Sequence, residues 1–179
     1  MASHREDKNM EAKPCSNSLA IKTTHVLPPD TNAFGTLFGG KLMAHIDDIA
    51  AIAAVKHARN PVVTASTDSV DFLAPVKVGY SISIEAFVTW THHTSMEVFA
   101  KAVTEDLVTG ERKVSATAFM TFVAIDENGK PVPVPSVYPE TDLEKMLHEN
   151  AALRAKRRGE RRRHSQDLAK TFGTKYAME

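Results

Sequence analysis

The stretch KLMAHIDDIAAIAAVKHA, residues 41–58, decides the fold. It contains no glycine or proline, and its many alanines favour helix. It reads as one helix of about five turns at 3.6 residues per turn. Leu42, Ile46, Ile49 and Ala53 recur on one face, and Met43, Ala50 and Ala54 widen that apolar stripe. So broad a band of small apolar side chains predicts a helix buried against a sheet on most of its sides.

Beyond Pro61 the period changes from helical to two. Residues 62–72 (VVTASTDSVDF) form a strand candidate, closed off by Pro75 and Gly79. In 81–90, Ile82, Ile84, Ala86, Val88 and Trp90 face one way, while Ser81, Ser83, Glu85 and Thr89 face the other. Residues 95–104 repeat the pattern with Met96, Val98, Ala100 and Ala102 inward. Residues 113–125 do so again with Val114, Ala116, Ala118, Met120 and Phe122. Turn residues separate these runs at 92–94 and 109–111. Ahead of the helix, SLAIKTTHV (18–26) is a further strand, ended by Pro28-Pro29-Asp30. Short links imply antiparallel pairing. The expected class is therefore α+β, an antiparallel sheet curled around one long helix.

Outside this unit, residues 1–17 read as a disordered lead-in, and 139–179 as a helical, basic C-terminal tail after the domain at 18–138. The run RAKRRGERRRH (154–164) carries seven Lys or Arg against one acid. A basic run can attract phosphates or RNA, but this one lacks interleaved aromatics, and a solvated helical tail is the expected outcome. The whole chain of 179 residues has formal net charge zero, so no overall field draws it to nucleic acid or a membrane. The lone cysteine, Cys15, offers no intramolecular disulfide, no zinc cluster is visible, and its polar surroundings read as frayed chain. The charged N-terminus lacks an apolar signal core, and no window approaches the roughly 18 apolar residues of a membrane span, so a cytoplasmic location is expected.

The chemistry gathers at DTNAFGTLFGG (30–40) and the helix behind it. Adjacent Gly39 and Gly40 at a helix start allow close approach to backbone N–H groups, which can stabilise charge developing on a carbonyl oxygen, or they serve turn geometry alone. Gly35 to Lys41 also fits G-x-x-x-x-G-K, but Leu42 stands where a phosphate-binding loop needs Ser or Thr. Two carboxylates follow. Asp48 has His45 and Lys41 for company. Asp47 lies among Met43, Ala50 and Ala51, two turns from Gly40, where ionisation is costly and a general base is favoured. Thr64, Ser66 and Asp68 alternate on one strand face and can line a groove. Thr94 and Ser95 open a strand and can bond a phosphate. His25, His45, His57, His92 and His93 show no zinc spacing, and no serine sits in a G-x-S-x-G elbow.

The elements DTNAFGTLFGGKLMAHID (30–47), VVTASTDSVDF (62–72), PVKVGY (75–80), TSMEV (94–98) and ATAFMTFVAID (116–126) together resemble the cytosolic acyl-CoA hydrolases of the hotdog superfamily, over roughly residues 18–140. The resemblance implies a hotdog fold and a homohexamer, a trimer of dimers with the dimer as catalytic unit. It implies hydrolysis of acyl-CoA to fatty acid and CoA without metal or cofactor. Position by position it places Asp47 as general base or nucleophile and Asn32 as a catalytic partner from the other subunit. The Gly40 N–H would polarise the carbonyl, and Gly39, Thr64, Ser66, Thr94 and Ser95 would bind substrate. Acyl-CoA is then the partner, not nucleic acid or membrane. The competing expectation is a non-catalytic acyl-CoA- or nucleotide-binding hotdog protein.

Overall fold

The computed structural model describes residues 10–174. The short β1 (Lys13–Pro14) and a 3-10 turn (Cys15–Ser18) lead into β2 (Ala20–His25). After a loop comes α1 (Gly39–Ala58), then four long strands: β3 (Val62–Phe72), β4 (Ser81–His92), β5 (Ser95–Glu105) and β6 (Arg112–Ala124). The chain closes with β7 (Val137–Tyr138), α2 (Asp142–Glu149) and α3 (Ala151–Phe172). The main sheet runs β2-β4-β5-β6-β3, with every neighbouring pair antiparallel.

The helix lies across one face of this sheet, as the apolar stripe predicts. Leu42, Ile46, Ile49, Ala50, Ala53 and Ala54 are buried against Ile82, Ile84, Val98, Ala100, Met120 and Phe122. Each fully buried large aliphatic or aromatic side chain contributes roughly 1.5–3 kcal/mol by leaving water. The alanines let the helix sit close to the strands. Burial does not extend all the way round. Met43, Ile52 and Val55 stay exposed in the single chain, so the opposite face of α1 is apolar and open.

The lead-in and the tail both differ from expectation. Residues 1–9 lie outside the described residues, but 13–17 are folded. Lys13 and Pro14 pair in parallel with Val137 and Tyr138, and Cys15 is fully buried rather than frayed. The apolar core accepts Cys15 as a small hydrophobe. The tail is not a solvated helix along its first half. Arg154, Arg158 and Arg161 follow helical spacing, and all three reach back to the outer face of the sheet. Arg154 grips the buried Glu97 through Nε and Nη2 (3.1 and 2.7 Å) and lies 4.3 Å over the Phe119 ring. Arg158 and Arg161 take the two carboxylate oxygens of Asp68 at 2.9 and 2.7 Å. Later side chains of α3 are exposed.

Strict alternation fails at β-bulges. One between Val88 and Trp90 buries Thr89 and moves Trp90 out of line with Val88. Another, at Ser115, turns Val114 outward and buries the serine, whose hydroxyl donates to the Ala102 carbonyl (3.2 Å). Both bulged residues are polar and become buried, and each finds a hydrogen-bond acceptor.

Candidate active site

The loop before α1 is tied by side chains that accept from the backbone. Asn32 Oδ1 accepts from the N–H groups of Phe34 (2.9 Å) and Thr36 (3.3 Å), and its Nδ2 donates to Thr36 Oγ1 (3.0 Å). This is the turn chemistry of an Asx motif. Gly35 occupies the left-handed region at φ 69°, where a side chain would be strained. Lys41 and Leu42 both donate to the Phe38 carbonyl (2.9 and 3.1 Å), so the N–H groups of Gly39 and Gly40 precede the helical ladder. A Cβ on Gly40 would stand 2.6 Å from the Phe38 ring, so glycine keeps this entrance open. Beside the first turn, Leu37, Leu42, Phe72 and Val76 line an apolar cleft of about 320 Å3.

Asp47 projects from the open side of α1. It is half-buried, not enclosed by apolar packing as its sequence neighbours suggest. Its Oδ1 accepts a hydrogen bond from Thr64 Oγ1 at 3.0 Å. Asp48 points elsewhere, pairing with Lys22 at 3.1 Å, and that lysine also sits 3.3 Å from His45 Nδ1. Burial, reinforced by Lys22 and Lys41, holds His45 below the ordinary histidine range.

The expectation that Thr64, Ser66 and Asp68 share one face is overturned. Thr64 pairs with Phe122, which faces the core, whereas Ser66 pairs with Thr121 on the opposite face. A bulge between them reverses the alternation. Thr64 therefore joins Asp47 on the helix side. Ser66 donates to Asp68 Oδ1 at 2.6 Å on the outer side. Ser95 also lies outward. With Ser66, Thr121, Arg158, Arg162 and Ser165 it lines a cleft of about 390 Å3 beneath α3. Thr94 precedes it in the turn, and its carbonyl accepts from Ala124 N–H (3.0 Å). The single chain thus unites Asp47 with Thr64 but does not hydrogen-bond Asn32 to either. It also ties Ser66 and Asp68 to α3, a link the sequence reading missed. The spacing of Arg154, Arg158 and Arg161 on one helical face was the available signal.

Other candidate nucleophiles fall away. Burial, aided by Glu144, pushes the Cys15 thiol up to about 12, so almost no thiolate is present at neutral pH. Among the described residues no group of three or more His, Cys, Asp or Glu is placed to hold a metal ion, and no helix is long and apolar enough to cross a membrane.

Comparison with known proteins fits this architecture. Residues 34–111 match the thioesterase superfamily model. The chain is 56% identical to an uncharacterized acyl-CoA thioester hydrolase of Bacillus subtilis, over 92% of this chain and 95% of that protein. It superposes on the acyl-CoA hydrolase of Staphylococcus aureus, solved with butyryl coenzyme A, coenzyme A and coenzyme A disulfide. There the TM-score is 0.86 and the identity 45%, covering 90% of this chain and 98% of that one. Variants of the Staphylococcus aureus protein, with an aspartate, an asparagine or a threonine changed to alanine, have the same fold. An apo-hexameric acyl-CoA thioesterase matches at TM-score 0.83 and 51% identity, over 84% of this chain and 97% of that one. With a sheet wrapped on one helix, a glycine-opened helix start and these relatives, the chain belongs to the acyl-CoA thioester hydrolase family of the thioesterase superfamily, with the hotdog fold.

Proposed function

We propose that the protein hydrolyses acyl-CoA to a free fatty acid and CoA, with Asp47 as general base or nucleophile. The observation that carries this reading is the half-buried Asp47 carboxylate on the open face of α1, oriented by Thr64 and two turns from unladdered glycine N–H groups. In the general-base route Asp47 takes a proton from water as its oxygen bonds to the thioester carbon. Charge then grows on the carbonyl oxygen, where the Gly40 N–H and the positive end of the α1 dipole stabilise it. The C–S bond breaks, and the CoA sulfur leaves with the proton. In the nucleophilic route Asp47 attacks the thioester carbon and the C–S bond breaks to expel the CoA thiolate; water then cleaves the resulting anhydride, releasing the fatty acid and restoring the Asp47 carboxylate, and the proton from water goes to the thiolate. Neither route calls on a metal or cofactor.

Asn32 completes the site from the partner subunit. Its side chain sits in the loop turn and meets no Asp47 within the chain, and the apolar face of Met43, Ile52 and Val55 offers a surface for a second copy. The catalytic unit is then a dimer, and the assembly a trimer of dimers, as the hexameric relative suggests. Substrate crosses the β3 edge. Gly39 and Thr64 hold the thioester end, the apolar cleft by Leu37 and Phe72 receives the acyl chain, and Thr94, Ser95 and Ser66 line the path to the phosphate end near Arg162. The variants made in the Staphylococcus aureus enzyme support the assignment. Their asparagine, aspartate and threonine stand at the same intervals along the chain as Asn32, Asp47 and Thr64. We place the enzyme in the cytoplasm.

The test is thiol release from a panel of acyl-CoAs. Asp47→Ala and Asn32→Ala are each expected to be inactive. Coexpressing the two restores roughly a quarter of wild-type activity, because mixed dimers hold one intact site of two. Full activity in Asp47→Ala, or acyl-CoA binding without turnover in the wild type, overturns the proposal.

A further inference from the structure

Among the described residues, no carboxylate is more heavily engaged than Asp68, although it lies on the far side of the sheet from Asp47 and Thr64. Its side chain is only 11% exposed. It accepts from Ser66 Oγ (2.6 Å), Thr121 Oγ1 (2.7 Å), Arg158 Nη1 (2.9 Å) and Arg161 Nη2 (2.7 Å). Arg161 adds bonds to the Asp68 carbonyl (2.6 Å) and to Ser66 Oγ (2.8 Å). This knot sits on β3, the last strand of the sheet, which has one neighbour among the described residues and so less to fix its register. β3 carries two bulges, one between Thr64 and Ser66 and one between Thr67 and Ser69, and Asp68 occupies the second.

The bulges decide where Thr64 points. On an unbroken strand Thr64 and Ser66 would share a face. The first bulge places Thr64 opposite Phe122, toward α1, and Ser66 opposite Thr121, toward α3. Losing it would turn either Thr64 away from Asp47 or Ser66 away from Asp68. A bulge leaves ladder groups unpaired and needs compensating bonds. Here Arg161 satisfies the Asp68 carbonyl in the second bulge, and the side-chain bonds that join Ser66, Asp68, Thr121 and Arg161 pin Ser66 to the outer face immediately after the first.

We infer that Asp68 is a positioning residue: clamped by Arg158 and Arg161 of α3, it holds the β3 bulge that presents the Thr64 hydroxyl to Asp47. The C-terminal helix, besides lining the proposed path to the phosphate end, thereby acts on the Asp47 end of the site without touching it. This rests on the active-site reading above and adds to it a residue on the opposite face of the sheet.

The experiment compares kcat and KM for Thr64→Ala, Asp68→Asn, Arg161→Gln and Arg161→Lys in the intact oligomer, with Tm measured alongside. Arg161 is 47% exposed, so its variants keep the fold if Asp68→Asn does not. Asp68→Asn and Arg161→Gln are expected to lower kcat up to about tenfold, the worth of one oriented hydrogen bond, with KM unchanged. Adding Thr64→Ala to either should cost nothing more, and Arg161→Lys should recover part of the loss. A purely structural clamp would lower Tm and leave kcat per folded protomer intact. A substrate contact would raise KM instead. Either result, or losses that simply multiply with Thr64→Ala, overturns the inference while the active-site reading stands. Undiminished turnover in both Asp47→Ala and Thr64→Ala would instead remove that reading, and the inference with it.

Discussion

Arg154→Ala isolates the contact that fastens α3 to the sheet. Glu97 is fully buried on β5. Its carboxylate receives the Thr89 hydroxyl at 2.8 Å, two nitrogens of Arg154, and a longer approach from Arg158 at 3.7 Å. Removing the Arg154 guanidinium leaves a buried charge with one short neutral donor. Breaking such a pair from one side costs about 3–5 kcal/mol. The arginine is itself 22% exposed, so water can enter part of the vacated space, which favours the lower end. Loss of the contact over Phe119 adds roughly 0.5–1 kcal/mol. A total near 3–4 kcal/mol corresponds to a Tm lower by roughly 6–16 °C for a chain of this size. The assay is thermal and urea unfolding at fixed protomer concentration, because assembly shifts apparent stability. The control is Glu97→Gln combined with Arg154→Met, which removes the charge and fills the space. It should recover more than half the loss, since two apolar or neutral partners replace an ion pair at little cost. A single-variant loss below about 1 kcal/mol would put the pair among ordinary surface bridges and refute the reasoning.

Further outcomes follow from the same geometry. Thr64→Ala removes one hydrogen bond to Asp47 and is expected to reduce kcat about three- to tenfold with a Tm change under a few degrees, read by thiol release and thermal melting. Gly40→Ala should fold, because the exposed Phe38 ring can swing aside, yet lose activity as the entrance narrows. Unchanged kcat/KM would separate Gly40 from the reacting carbonyl. His57 is buried, donates through Nε2 to the Pro135 carbonyl at 2.8 Å, and has no partner at Nδ1 among the described residues. Burial accordingly holds its pKa below the ordinary value. The unfolded chain takes up a proton near pH 6.5 that the folded one refuses, so stability is intact at neutral pH and falls as pH drops below about 6.5. His45 contributes with the same sign. Urea midpoints at pH 7 and pH 5 check this, and His57→Gln should flatten the slope. An equal slope in that variant would place the pH dependence elsewhere.

Much of this was legible along the chain because it depends on local periodicity. A glycine- and proline-free run rich in alanine forms the long helix, and alternating residues with short polar links form the antiparallel strands. Asp47 and Gly40 lie on one element, so helical spacing alone relates them. What the sequence could not reveal is which face a strand residue takes once a bulge intervenes. Trp90 and Val114 read by alternation to the wrong side, and Thr64 and Ser66 to one shared face, because one extra residue reverses every side chain after it, and a bulge forms only where tertiary contacts repay its unpaired groups. The arginines of α3 were likewise visible as charge but not as clamps, since Glu97 and Asp68 lie dozens of residues away. Local pattern fixes which elements exist. Only the folded sheet, bringing distant carboxylates under one helix and choosing where its strands bulge, decides that Thr64 faces Asp47 and that Ser66 turns its back on it.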